Sequence, residues 1–280
     1  MKAHHSFTAL FACILFTACS APSFPVPEGT ILHDLRTGAE LSPRKAAKAD
    51  GFYGTWQEQD QSISFVRYRA DAFQTTVVTA EGEKADSTGA LCLQNNAVAG
   101  INGSYFNMRE LIPVTFVKDD GFVVGPASPR SNGALVLNPE SFRIEACDTT
   151  ATYDLDWEVL AAHPLLIDDG EVYTYSEEEV PDWGSFYNRR HPRSLVGQDD
   201  QGGVWLVVVD GRFPGEAEGM TIAELTDLAL RLGLTDALNL DGGGSSTLWV
   251  LPEGVLNHPC DNQRYDHEGQ RIVPNAVIVR

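Results

Sequence analysis

The chain has 280 residues, with 39 acidic against 20 basic side chains, a formal net charge of −19 and a hydrophobic share of 43%. That apolar share supplies a core and excludes a disordered chain, and the length suits one large domain or two small ones. The acidic balance argues against a nucleic-acid partner, which calls for a basic face, and requires any anionic substrate to be met by locally placed Arg or Lys.

The chain opens with a basic start (Lys2, with His4 and His5) and an apolar run from Phe7 to Ala18. The run is too short for a membrane-spanning helix and has the length and flanks of an export signal, predicted over residues 1–18. Phe16-Thr17-Ala18-Cys19 resembles a bacterial lipobox, with Phe16 where an aliphatic residue is usual. The expectation is a lipidated Cys19 and membrane attachment through that lipid at the cell envelope, with ordinary secretion as the alternative. Residues 19–60 then form a tether and N-terminal extension, whose APSFPVP start is held extended by its prolines. Cys92, Cys147 and Cys260 remain. They suit either one disulfide plus a free thiol or three inert buried thiols, and without C-x-x-C spacing they predict no zinc site.

Residues 61–280 read as an α+β domain of mixed, mostly antiparallel sheets with hairpins and few helices. ISFVRYRA (63–70) alternates and TTVVTA (75–80) follows. In 114–125, 164–175 and 194–211, an apolar run meets Asp-Asp with glycine before a second apolar run. That is hairpin grammar, since Asp and Gly tolerate the left-handed positions of a tight turn. Asp119-Asp120, Asp168-Asp169 and Asp199-Asp200 are therefore read as turn tips rather than metal ligands. A helix is predicted from about Asp86 to Ala97, capped by Asp86 or Ser87, and a long loop over 176–192. MTIAELTDLALRLG holds the clearest helix: Thr221 and Glu224 make a capping box, Leu225, Leu228, Ala229 and Leu232 form one stripe, and Gly233 ends it.

Both flanks of that helix carry an apolar strand ending in Asp-Gly, at Asp210 and Asp241. If the strands are neighbours and parallel, the two carboxylates emerge at one sheet edge, where ligands collect. They are then candidates for acid–base or nucleophilic work. After Asp241 come Gly242, Gly243 and Gly244, then Ser245, Ser246 and Thr247. The run suits either a nest of backbone N–H groups around an anion, with hydroxyl donors beside it, or a tight turn before the strand TLWVL. It is not a Walker loop, since no Lys-Ser or Lys-Thr ends it.

AGINGSYF (99–106), HPRSLVG (191–197), VDGRFPGEAEGMTIAEL (209–225), DALNLDGGGSSTLWV (236–250) and VPNAVIV (273–279) occur in this order. Together they resemble the phosphodiester glycosidase family, over roughly residues 65–280. The resemblance implies hydrolysis of a sugar-1-phosphodiester in a phosphorylated glycan; in the animal member an α-linked N-acetylglucosamine is removed to leave a phosphomonoester. It also implies roles. Arg193 and Arg212 hold the phosphate with the Gly242–Ser246 loop, since a guanidinium fork suits phosphate oxygens. Asp241 serves the anomeric centre, as base, nucleophile or stabiliser, with Asp210 as partner and Glu216 and Glu218 as weaker candidates; Glu218 also suits a helix N-terminus. Asn102 and Asn275 contact the substrate, and Tyr105 or Phe106 walls it. Apart from the resemblance, the aromatic residues Trp183, Phe186 and Tyr187 make the long loop a candidate sugar-stacking lid. His163 and His191, each followed by Pro, are read as structural or rim residues, with substrate contact as the alternative for His191. No cofactor is implied, and no His pair has zinc spacing. The alternatives are a surface lipoprotein that binds phosphorylated glycan without turnover, and a structural envelope protein in which the glycines are only turns.

Overall fold

In the computed structural model the described residues are 26–80, 85–174 and 184–280. The signal segment, Cys19 and Trp183 lie outside them. The acidic turns form as their chemistry dictates. Val117–Asp119 and Phe122–Gly125 pair antiparallel, as do Leu165–Asp168 with Glu171–Val172 and Arg193–Asp199 with Gly203–Val209. Asp120, Asp169, Gly121 and Gly170 all take positive φ, between 44° and 83°, the pair of left-handed residues that a two-residue hairpin turn needs. Asp199 does more than turn the chain: its carboxylate accepts from Arg67, from the Gly203 N–H and from the Trp205 indole.

Three sheets carry the fold. A nine-stranded sheet contains Gln61–Arg69, Gly203–Val209, Arg193–Asp199, Leu234–Asn239 and Leu165–Asp168 in that spatial order. Residues 31–58 supply three of its strands, paired on to Gln61–Arg69 through Gly51–Glu58. A five-stranded sheet contains Thr75–Thr79, Asn275–Val279, Ala99–Asn102 and Leu248–Val250, and a second is built around Gly133–Asn138 and Glu158–Ala162. All the ladders among the described strands are antiparallel.

The run Val204–Val209 is apolar throughout because both faces of its strand are covered. Val204, Leu206 and Val208 enter the core shared with the five-stranded sheets, beside Ile101, Leu135 and Val277. Trp205, Val207 and Val209 face the other way, toward Ile222, Leu225, Leu228 and Ala229 of the helix Ile222–Arg231. That helix carries the expected cap: Thr221 accepts from the Glu224 N–H, and the Glu224 carboxylate accepts from the Thr221 N–H. Gly233 follows at φ 77°.

Four expectations are refined. The strands on either side of this helix do run parallel, but they are not neighbours. Arg193–Asp199 lies between them, antiparallel to both. Their carboxyl ends still reach one edge, with Arg193 at the start of the strand between. The earlier helix is shorter than expected, Thr88–Gln94, with Ser87 as the cap. The loop over 176–192 contains a helical turn at Gly184–Asn188. Cys92, Cys147 and Cys260 are all free thiols, so the disulfide alternative falls.

The close packing of the sheets gives a test. A Cβ on Gly103 would stand 2.0 Å from Asn275 Oδ1, whereas Gly170, at φ 83°, has nothing within 4 Å. Gly103→Ala is expected to lower unfolding stability by about 3 kcal/mol through overpacking, and Gly170→Ala by about 1 kcal/mol through backbone strain alone. Urea melts compare the two, and equal midpoints would contradict the packing argument.

Candidate active site

The edge where Asp210, Arg193 and Asp241 emerge is built around one buried amide. Asn102 ends the strand Ala99–Asn102 and is fully buried. Its Nδ2 donates to the Asp241 carbonyl at 2.7 Å, and its Oδ1 accepts from Ser194 Oγ at 2.8 Å and from the Thr247 N–H at 3.1 Å. The Asp241 N–H donates to the Gly103 carbonyl. Beside it, Asn239 Nδ2 donates to the Tyr105 hydroxyl and to the His163 carbonyl, both at 2.7 Å. Asp241 is thus held from both sides of its peptide, and its half-buried carboxylate accepts from the Gly242 N–H at 2.9 Å.

The three glycines after it each have a close neighbour. A Cβ on Gly242 would meet the Pro192 carbonyl at 2.7 Å; on Gly243, Arg212 Nη2 at 2.8 Å; on Gly244, Arg271 Nη2 at 2.2 Å. Two guanidinium groups therefore lie against this backbone where side chains on Gly243 and Gly244 would begin. The loop's N–H groups turn inward: Gly242 to the Asp241 carboxylate at 2.9 Å, Gly243 to Pro192, Ser245 to Gly242 and Ser246 to Gly243. The expected nest of N–H donors around an anion is therefore not formed by these four, and the cationic side chains occupy its place.

Arg212 reaches the loop from a left-handed residue, φ 68°, a strained choice of the kind found at functional sites. Its Nη1 lies 3.7 Å from Cys260 Sγ. Arg271 makes two bonds of 2.7 Å to Asp261, and its Nη1 lies 3.5 Å from Ser245 Oγ. Arg193 is 1% exposed; its guanidinium donates to the Met220, Phe186 and Arg189 carbonyls and stacks on the Phe186 ring at 4.7 Å. Among the described residues, no carboxylate pairs with Arg193 or Arg212. Burial, then Arg193 and Arg212, hold His191 below the ordinary histidine range. Burial pushes the Asp241 carboxyl up to about 6, against the opposing pull of the Ser245 hydroxyl, Arg271, the Gly242 N–H and Arg212.

Several residues expected to touch substrate are turned inward instead. Asn102 is saturated inside, as above. Asn275 is fully buried and exchanges bonds with Ser104: its Oδ1 accepts the N–H and its Nδ2 donates to the hydroxyl. Arg193 uses two of its nitrogens on carbonyls, and the Ser246 hydroxyl is buried. Asp210 is 1% exposed and accepts four hydrogen bonds, from Ser62 Oγ, the Asn257 amide, and the His258 N–H and Nδ1. A carboxylate so engaged positions its neighbours rather than meeting an anomeric carbon. Glu218 pairs with Arg190 on the surface, alongside Glu224, so it joins neither the site nor the helix cap. Phe186 and Tyr187 pack on Arg193, Tyr105 and His163. Arg212, Gly242, Gly243, Gly244 and Ser245 do gather at Asp241. Arg271, Asp261, Asn257 and His258 were missed. Arg271 stands two residues before VPNAVIV, which was the one local hint; the others lie in an aperiodic stretch.

A family model described as phosphodiester glycosidase matches residues 95–280. The N-acetylglucosamine-1-phosphodiester alpha-N-acetylglucosaminidase of Bos taurus is 33% identical over 113 residues, 38% of this chain and 21% of that protein. The match thus spans about a fifth of the mammalian relative's length. The SPbeta prophage-derived uncharacterized protein YomE of Bacillus subtilis is 41% identical over 70 residues, 25% of this chain and 11% of that protein. Among solved structures, the zebrafish N-acetylglucosamine-1-phosphodiester alpha-N-acetylglucosaminidase catalytic domain, auto-inhibited by its pro-peptide, superposes with a TM-score of 0.66 at 16% identity, covering 82% of each chain. A putative exported protein of Burkholderia pseudomallei gives 0.59 at 15% identity, covering 82% of this chain and 74% of that one. These structural likenesses show a shared fold.

The raised Asp241 pKa has a sign that can be measured. Between about pH 4 and 6 the folded chain holds a proton that the unfolded chain has lost, so this group's contribution to stability falls as pH rises through that window. Asp241→Asn removes the effect. The variant is expected to be more stable than the parent at pH 8, by on the order of 2 kcal/mol, with the gap closing by pH 4. Thermal unfolding at both pH values reads this out, and a variant less stable at pH 8 would contradict it.

Proposed function

The chain belongs to the phosphodiester glycosidase family, and on that premise we propose that it hydrolyses a glycosyl-1-phosphodiester, breaking the bond between the anomeric carbon and the phosphate oxygen. The observation that carries the reading is the side chain of Asp241, half-buried and flanked by Arg212 and Arg271, in a chain whose net charge is −19. Such a chain repels a phosphodiester everywhere except where cations are gathered. Asp261 already neutralises Arg271. Arg212 has no such partner among the described residues, which suits it to the single negative charge of a phosphodiester. The Gly242 N–H holds one carboxylate oxygen of Asp241, which fixes the group. On the sugar side of the phosphate, an ionised Asp241 stabilises the positive charge that develops at the anomeric centre. Arg271 and Arg212 favour that ionised form against the cost of burial. A phosphate leaving group needs little protonation, so one carboxylate suffices for bond breaking.

The sugar we assign is N-acetylglucosamine, on the names of the mammalian relatives. We also place the protein outside the cytoplasm on a lipid carried by Cys19, on the signal-like sequence of residues 1–19 alone. Replacement of Cys19 by Ala is expected to move the protein from the membrane fraction to the soluble exported fraction; an unchanged membrane fraction would remove the anchor.

The activity is read by release of phosphomonoester from a panel of sugar-1-phosphodiesters. The parent's kcat/KM is expected to rise about tenfold per pH unit up to about pH 6 and then level, as Asp241 ionises. Asp241→Asn should lower kcat by ~10³ or more with substrate still bound, and Arg212→Ala should raise KM by about tenfold to a hundredfold. Binding of the panel with no turnover by the parent would instead make the protein a glycan-binding module.

A further inference from the structure

Asp210 holds a second group that the reading above does not use. His258 Nδ1 lies 2.9 Å from Asp210 Oδ2, and the His258 N–H lies 2.8 Å from Oδ1. Ser62 Oγ and Asn257 Nδ2 fill the remaining acceptor positions at 2.8 and 3.0 Å. A carboxylate that accepts this many bonds leaves Nδ1 as the donor, so in the neutral ring Nε2 carries the lone pair. The ring plane is fixed as well. Tyr265 stacks on it with centroids 3.8 Å apart and 12° between planes, and His267 lies 4.5 Å away on a tilt of 31°. The His258 side chain is 19% exposed, and Nε2 has no hydrogen-bond partner among the described residues. A histidine kept only for packing is ordinarily satisfied at both nitrogens or apolar in its surroundings. This one is oriented by a buried carboxylate at one nitrogen and open at the other, as in a base held by an acidic partner.

Its neighbours in the chain touch the same site. The segment 257–261 runs along the glycine loop. The Asn257 amide donates to the Ser246 carbonyl, Cys260 lies on Arg212, and Asp261 holds Arg271 beside Ser245. His258 sits between these contacts.

Resting on the glycosyl-1-phosphodiester reading, we propose that His258 Nε2 is the general base that takes a proton from the hydrolytic water, with Asp210 as its positioning residue. The water oxygen bonds to the anomeric carbon while the bond from that carbon to the phosphate oxygen breaks. The electron pair leaves on the phosphate, one water proton passes to Nε2 and then to solvent, and Asp241 carries the charge at the anomeric centre throughout. The chemistry balances with water as the only co-reactant. Two groups that looked like a pair of catalytic carboxylates thus divide into one that meets the sugar and one that orients a histidine.

The test is His258→Asn, chosen because the asparagine Nδ2 can still donate to Asp210 while Nε2 is lost. Its thermal midpoint should stay within a few degrees of the parent. Its kcat on the sugar-1-phosphodiester that the parent turns over is expected to fall by ~10²–10⁴ with KM little changed. Azide needs no deprotonation to attack carbon, so millimolar to molar azide should restore turnover of the variant and yield the glycosyl azide; a merely structural role would give no such rescue. His258→Gln serves as a second variant, with the same rescue expected. A folded variant with parental kcat, or a loss that azide leaves untouched in both variants, overturns the assignment and leaves the reading of Asp241 standing. A parent that hydrolyses none of the panel overturns both.

Discussion

The site depends on the buried amide of Asn102. Water is excluded there, so each of its polar atoms needs a partner, and the partners come from three different segments. The amide joins the end of a five-stranded sheet to Ser194 on the nine-stranded sheet, to Asp241 just past the end of another of its strands, and to Thr247 beyond the glycine loop. With that one side chain satisfied, the two sheets meet in a set register and the Asp241 peptide cannot rotate. The carboxylate then projects from a rigid strand end, and the loop after it begins from a defined direction. Asn275 and Gly103 support the same corner, since the Asn275 carbonyl and amide close over the Gly103 backbone.

Electrostatics follows from that placement. A chain with a net charge of −19 gathers Arg212 and Arg271 against one short loop, with the buried Arg193 on the strand beside it. At Gly243 and Gly244 guanidinium groups lie where side chains would stand, and at Gly242 the Pro192 carbonyl does. Burial raises the Asp241 carboxyl while the guanidinium groups lower it, and the balance leaves a carboxylate that ionises close to neutral pH. Burial acts on Arg193 in the opposite sense, drawing it down to about 10. The low dielectric that makes these groups costly to hold is also what makes them effective on a bound anion.

Much of the local architecture was legible in the sequence. Asp-Asp-Gly turns, the Thr221–Glu224 box and the leucine stripe are set by interactions between residues at most a few positions apart, and they form as read. The turn at Gly184–Asn188 escaped because five residues carry no period. The strands before Asp210 and Asp241 end at one edge because they run parallel, as expected, although a third strand separates them where neighbours were expected. Arg271 and His258 were not legible: both lie in a stretch with neither helical nor strand periodicity, and they reach Ser245 and Asp210 from 26 and 48 residues away.

By itself, the sequence determined the turns, the caps, the buried strands and a family pattern that points to sugar phosphodiesters, because these rest on local sterics and on side-chain types in order. The tertiary structure decided what each polar residue does. Asn102 finds Asp241 139 residues away and Asp210 finds His258 48 residues away. Whether a carboxylate meets substrate or holds a neighbour depends on burial and on the donors already around it. Those donors come from chain segments that only folding brings together, and so one of two similar Asp-Gly motifs presents a carboxylate and the other encloses one.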